Sequence, residues 1–182
     1  MPKTEQVIIA GFGGQGVMLI GQILSYVATN EELNTVWIPS YGPETRGGTA
    51  NCSVSISEEM INSPIVTAPD SVIAMNLPSL QKFEPKLKKD GILLVNNSAV
   101  KDYDYRKDLR VIELDANKEA LELGNLKVAN MILLGAYIEV TKVFEKDAIT
   151  NIFKKIFSGD KAKLIDLNVR ALERGMEIAK QH

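Results

Sequence analysis

Apolar positions along this chain fall into short blocks that alternate with longer, spaced stripes. Val7-Ile8-Ile9-Ala10, Thr35 to Pro39 (TVWIP), Ser71 to Met75 (SVIAM), Gly91 to Val95 (GILLV) and Arg110 to Leu114 (RVIEL) have the length of buried strands. From about Gly14 to Thr29, Val17, Ile20, Ile23, Leu24 and Val27 recur at helical spacing, and a second helix is expected from about Pro78 to Lys89. Ala50 to Ser57 (ANCSVSIS) alternates small polar with apolar residues, which predicts a half-exposed strand. After Asp115 the pattern turns helical: Asn117 to Leu123, Lys127 to Thr141, Lys146 to Phe157 and Leu164 to Gln181. The last carries Leu167, Ala171, Leu172, Gly175, Ile178 and Ala179 on one stripe. Strand–helix alternation with a helical end predicts one Rossmann-like α/β domain over residues 1–182, a mainly parallel sheet flanked by helices.

Composition narrows what such a domain does. The 182 residues are 45% hydrophobic and 24% charged, enough for a sizeable core. A formal net charge of −2 gives no broad attraction to nucleic acid or an anionic membrane. The polar start MPKTEQ does not read as a signal peptide, and no window approaches the ~18–20 apolar residues of a membrane span, so a cytoplasmic protein is expected. A single cysteine, Cys52, excludes an internal disulfide and a multi-cysteine zinc or iron–sulfur site. His182, the lone histidine, is the last residue and reads as a solvated terminus. No Ser–His–acid arrangement or paired-carboxylate site stands out, Cys52 reads as a packed thiol, and neither a catalytic nor a metal-ligating set is expected.

Two stretches carry candidate chemistry. Ile8 to Met18 (IIAGFGGQGVM) places G-x-G-x-x-G between a strand and a helix, the context of a phosphate-binding turn. In that reading Gly11 permits the turn, Gly13 lets a ligand approach and Gly16 lets the helix pack against the strand, with Gly14 and Gln15 between them. A dinucleotide site would add an acid where the second strand ends, yet Val36-Trp37-Ile38-Pro39-Ser40 has none. NAD binding, another phosphate-bearing ligand, a partner protein, and glycines that merely permit close packing all stay open from these residues alone. The second stretch, Tyr41 to Cys52 (YGPETRGGTANC), combines Gly42, Gly47 and Gly48 with Tyr41, Glu44, Thr45, Arg46 and Asn51, groups able to stack, accept or donate. Beside the ends of parallel strands it would adjoin the glycine loop; an exposed Glu44–Arg46 pair that only pins the loop is the plainer alternative.

Taken together, GFGGQGV and PSYGPETRGGTANCSV, with Ser63-Pro64, Pro69-Asp70 and Asn130 to Ala136 (NMILLGA), resemble the gamma subunit of the 2-oxoacid:ferredoxin oxidoreductases over nearly the whole chain. The form GPETRGGTANC is most similar to the 2-oxoglutarate branch, with pyruvate and branched-chain branches as alternatives. The resemblance implies a complex that oxidatively decarboxylates a 2-oxoacid with coenzyme A to acyl-CoA, CO₂ and reduced ferredoxin. It further implies thiamine diphosphate, Mg and iron–sulfur clusters on alpha, beta and delta subunits, with this chain inactive alone, serving assembly and enclosure of coenzyme A. The expected contact residues are Gly11, Gly13, Gly14, Gln15, Gly16, Tyr41, Glu44, Thr45, Arg46, Gly47, Gly48 and Asn51. A stand-alone nucleotide-binding protein or NAD-dependent oxidoreductase is the alternative.

Overall fold

In the computed structural model, which describes residues 4–43 and 47–182, the first apolar block becomes the middle of a six-stranded sheet. The elements run β1 (Thr4–Phe12), α1 (Val17–Asn30), β2 (Asn34–Tyr41), β3 (Thr49–Ser57), β4 (Ser71–Ala74), α2 (Leu77–Phe83), β5 (Ile92–Asn96), β6 (Arg110–Leu114), α3 (Ala116–Glu122), α4 (Ala129–Thr141), α5 (Lys146–Ile156) and α6 (Ile165–Ala179). Strand order is β2-β3-β1-β4-β5-β6. β4 pairs in parallel with β1 and β5, and β5 with β6, whereas β3 runs antiparallel to both β1 and β2. Five of the six strands therefore point one way, as expected of a mainly parallel sheet, and β3 makes it mixed. The cause is local. Only seven residues lie between the end of β2 and the start of β3, too few for the helical crossover a parallel pair needs, so the chain turns back on itself.

β3 obeys the predicted alternation. Cys52, Val54 and Ile56 sink into one core, while Asn51, Ser53 and Ser55 occupy the other register positions, opposite Ala10, Ile8 and Gln6 of β1. The strand is nonetheless not half-exposed as expected, because α2 and its neighbours cover the second face and bury Ser55 and Ser57 as well. On the Cys52 face, α1, α3, α4, α5 and α6 build the larger core; on the opposite face α2 and the segment before β6 build a smaller one around Ile8, Val72, Leu93 and Phe83. α4 is buried from Ala129 to Ile138, which accounts for its near-continuous apolar run. It crosses α6 where Gly135 lies against the Leu172 carbonyl and Gly175 against that of Ile132, leaving no room for a Cβ on either side.

Two predicted helices are trimmed. α2 ends at Phe83 and passes through a 3-10 turn, Glu84–Lys86, because Pro85 lacks the N–H that would continue the ladder. α4 begins at Ala129, after a 3-10 turn at Leu126–Val128 rather than at Lys127. The connections of β1 and β4 depart toward opposite faces: α1 lies on one side of the sheet and α2 on the other. The space beyond the adjacent ends of β1 and β4 is thus a topological switch point, where open α/β sheets form their crevices.

Candidate functional site

The glycine loop occupies that switch point. β1 stops at Phe12, and α1 starts at Val17 behind Gly16, whose φ of 79° is the left-handed conformation glycine favours. No side chain caps α1, so among the described residues its first N–H groups are met by no capping acceptor. Gly14 is exposed, with φ of 91° and open space where a Cβ would stand.

The glycines act differently from the sequence expectation. Gly11 does not make the turn: it lies within β1, opposite Ala50, and a Cβ there would stand 2.6 Å from the Gln15 Oε1. It is small so that the Gln15 amide can fold back over the strand end. Gly13 donates its N–H to the Gly48 carbonyl at 2.9 Å, so this donor is already used. Gly16 packs against Asn130 of α4 rather than against a strand; the Asn130 amide donates to the Gly16 carbonyl at 3.4 Å.

The Gly13–Gly48 bond places the β2–β3 hairpin beside the glycine loop. Gly42 closes the hairpin by donating to the Thr49 carbonyl at 2.7 Å. Tyr41, 70% exposed, joins Gly13, Gly14, Gly16 and Met18 around a cleft of about 290 Å³. Gly47, with φ of 68°, is exposed nearby in sequence. Glu44, Thr45 and Arg46 lie outside the described residues. Asn51 is not brought to this cleft: it lines a separate cavity with Ile8, Ser40 and Ser53 on the α2 face.

Gln15 turns the other way. Its Oε1 accepts the Phe12 N–H at 2.6 Å and the Asn76 amide at 3.4 Å, while Asn76 caps α2 by accepting from the Ser79 N–H. Gln15 and Gly14 thereby border a second cleft of about 400 Å³, with Asn117, Asn125 and Lys127 opposite. Asn76, Asn117, Asn125, Lys127 and Asn130 escaped the residue reading. Asn76, directly before Leu-Pro, and Asn125, directly after Gly124, stand where a capping side chain is expected.

Among the described residues, nothing around either cleft resembles an activated nucleophile. Cys52 is fully buried, its thiol 3.6 Å from the Val17 carbonyl, and burial pushes it up to about 11. No group of three or more His, Cys, Asp and Glu among the described residues could hold a metal ion, and no helix is long and apolar enough to cross a membrane.

Residues 6–178 match the pyruvate ferredoxin/flavodoxin oxidoreductase family. The chain is 39% identical over 181 residues to ketoisovalerate oxidoreductase subunit VorA of Methanothermobacter marburgensis, covering 99% of this chain and 37% of that protein. It thus spans little more than a third of that relative. With 2-oxoglutarate synthase subunit KorC of the same organism it is 34% identical, covering 96% of each. Among solved structures it is similar to the gamma subunit of a keto/oxoacid ferredoxin oxidoreductase from Geobacter sulfurreducens, with TM-score 0.84, 27% identity and coverage of 98% and 99%.

Proposed function

The chain belongs to the pyruvate ferredoxin/flavodoxin oxidoreductase family, and from that premise we propose that it is the gamma subunit of a 2-oxoacid:ferredoxin oxidoreductase. The observation that carries the reading is the union of the glycine loop and the β2–β3 hairpin through Gly13 and Gly48 at a topological switch point. Within the complex its work is to pack on the alpha and beta subunits, and on delta where present, and to help enclose coenzyme A. The exposed Gly14 backbone and Tyr41 are the described groups placed for that, with Arg46 added from the sequence.

Thiamine diphosphate, Mg and the iron–sulfur clusters belong, in this reading, to the partner subunits. This chain does not fit a cluster: its one cysteine is enclosed by Trp37, Gly21 and the Val17 carbonyl. Ferredoxin is then met through the complex, in the cytoplasm. The relatives are named for different oxoacids, ketoisovalerate and 2-oxoglutarate. That fits a substrate pocket on other subunits; 2-oxoglutarate remains our choice of substrate, on the GPETRGGTANC stretch. The dinucleotide reading loses further ground on topology. Antiparallel β3 intervenes between β1 and β2, so the end of β2 lies two strand spacings, ~9–10 Å, from the glycine turn.

Isothermal titration of coenzyme A into the assembled complex tests the site. Arg46→Ala and Gly14→Asp each weaken affinity by about tenfold, the loss of one charge-assisted contact or of backbone access. Unchanged affinity in both variants removes coenzyme A from this chain. NAD added to the isolated chain leaves its Tm unchanged; a rise of several degrees would favour the oxidoreductase alternative.

A further inference from the structure

The second cleft, on the far side of the glycine loop from the hairpin, has a one-sided hydrogen-bonding character. Gln15 spends its carbonyl oxygen on the Phe12 N–H and the Asn76 amide. The Asn125 oxygen accepts the Lys127 N–H at 3.0 Å, and the Asn117 oxygen accepts the Asn96 amide at 3.0 Å. Two of these acceptors are fixed by backbone N–H donors, which have no other polarity to offer, so the amide orientation follows from the chain itself. What remains on all three side chains is an NH₂ group, and Lys127 adds an ammonium. Among the described residues none of these four donors meets an acceptor, and no carboxylate lines the cleft. Met75 and Leu126, the latter 49% exposed, supply apolar wall.

We propose that this cleft is an oxyanion site, binding the phosphate or carboxylate of a small molecule whose apolar portion rests on Met75 and Leu126. Its physical basis is a set of donors with their acceptors already satisfied, one of them a cation, gathered where an open α/β sheet places its ligands. Asn96, fully buried behind Asn117, belongs to the support: its amide orients Asn117. Gly11 belongs to it as well, since any side chain there would displace the Gln15 amide. The site is a property of this chain and stands whether or not the proposed complex assembles.

The test is titration of the ¹⁵N-labelled full chain with inorganic pyrophosphate and, separately, with 2-oxoglutarate, following the side-chain NH₂ resonances. The Gln15, Asn117 and Asn125 amides are expected to shift together and saturably with at least one anion; which anion binds more tightly decides between phosphate and carboxylate. Lys127→Gln weakens that binding by about tenfold, the share of one charge-assisted contact, while the distant Lys155→Gln does not change it. The chain's far-ultraviolet spectrum and Tm stay at wild-type values in both variants. Absence of saturable shifts with either anion at 10 mM, about the weakest affinity a site of this size would have, or equal affinity in Lys127→Gln, overturns the proposal. Failure here leaves subunit association untouched, so the two readings fall separately.

Discussion

Cys52 shows how a reactive side chain is silenced by its neighbours. Gly21 has no side chain because a Cβ there would stand 2.6 Å from both the Cys52 sulfur and the Trp37 indole nitrogen, so strand and helix close directly over the thiol. With that thiol raised to about 11 and wholly buried, iodoacetamide at pH 8 should label Cys52 only as fast as the chain unfolds. Labelling at the rate of a free thiol in native buffer would contradict this. Glu5 is the opposite case, a carboxyl held above 4.5 by burial first and by the charge of Asp70 next, although Ser71 and Tyr137 both donate to it. An acid whose folded value is raised binds its proton more tightly when native. Its contribution is therefore fully present below pH 4.5 and is lost as the pH rises from there through the raised value. Glu5→Gln keeps an acceptor for both hydroxyls without the charge. Calorimetry should find it more stable than wild type at pH 8, by a few degrees, and equal at pH 4; the same difference at both contradicts the assignment. At this scale the sequence was half legible. The glycine pattern marked the loop, yet the direction in which Gln15 folds depends on Asn76, 61 residues away. That Asn51 faces the other side of the sheet from Cys52 follows from the alternation within β3 itself; which of the two faces meets the glycine loop does not.

Among the elements, the α4–α6 crossing carries the tightest geometric demand. Gly135 and Gly175 let two backbones meet, with the Leu172 and Ile132 carbonyls where side chains would be. Since a carbonyl cannot swing aside as a rotamer does, Gly135→Ala should cost about 3 kcal/mol, measured as a lower urea midpoint. A loss under about 0.5 kcal/mol, the range of surface substitutions, would show that the helices separate freely. Asp115 sets the start of α3: its carboxylate accepts from the Ser98 hydroxyl and from the Lys118 N–H at 3.0 Å, which in that order hold it below its ordinary value of 3.8. Asp115→Ala should then cost about 1 kcal/mol near neutral pH, by the same urea measurement, and progressively less as the pH falls below 3.8. Periodicity located α4 and α6, because their apolar stripes run over 13 and 15 residues. It missed the early end of α2, where Pro85 interrupts an otherwise continuous pattern, whereas the alternation of β3, set against the continuous apolar runs of the other strands, is the pattern of an antiparallel strand.

For the molecule as a whole, the helical end of the chain packs behind the glycine loop and ties it to the rest of the fold. Asn130 of α4 holds Gly16, α4 is held by α6, and the loop is joined to the hairpin through Gly13 and Gly48. The result is one edge presenting Tyr41, Phe12 and Gly14 to a neighbour or ligand, with a donor-lined cleft beside it. Such a surface makes functional sense when the chemistry is supplied by other chains. The most direct measurement is affinity purification of the tagged chain from its native cells, with the eluate assayed for coenzyme A-dependent reduction of ferredoxin by a 2-oxoacid. The account predicts that subunits carrying thiamine diphosphate and iron–sulfur clusters elute with it in fixed ratio, and that activity is present in the eluate and absent from the isolated chain. A chain that elutes alone, with no oxoacid oxidation associated with it, would contradict the account.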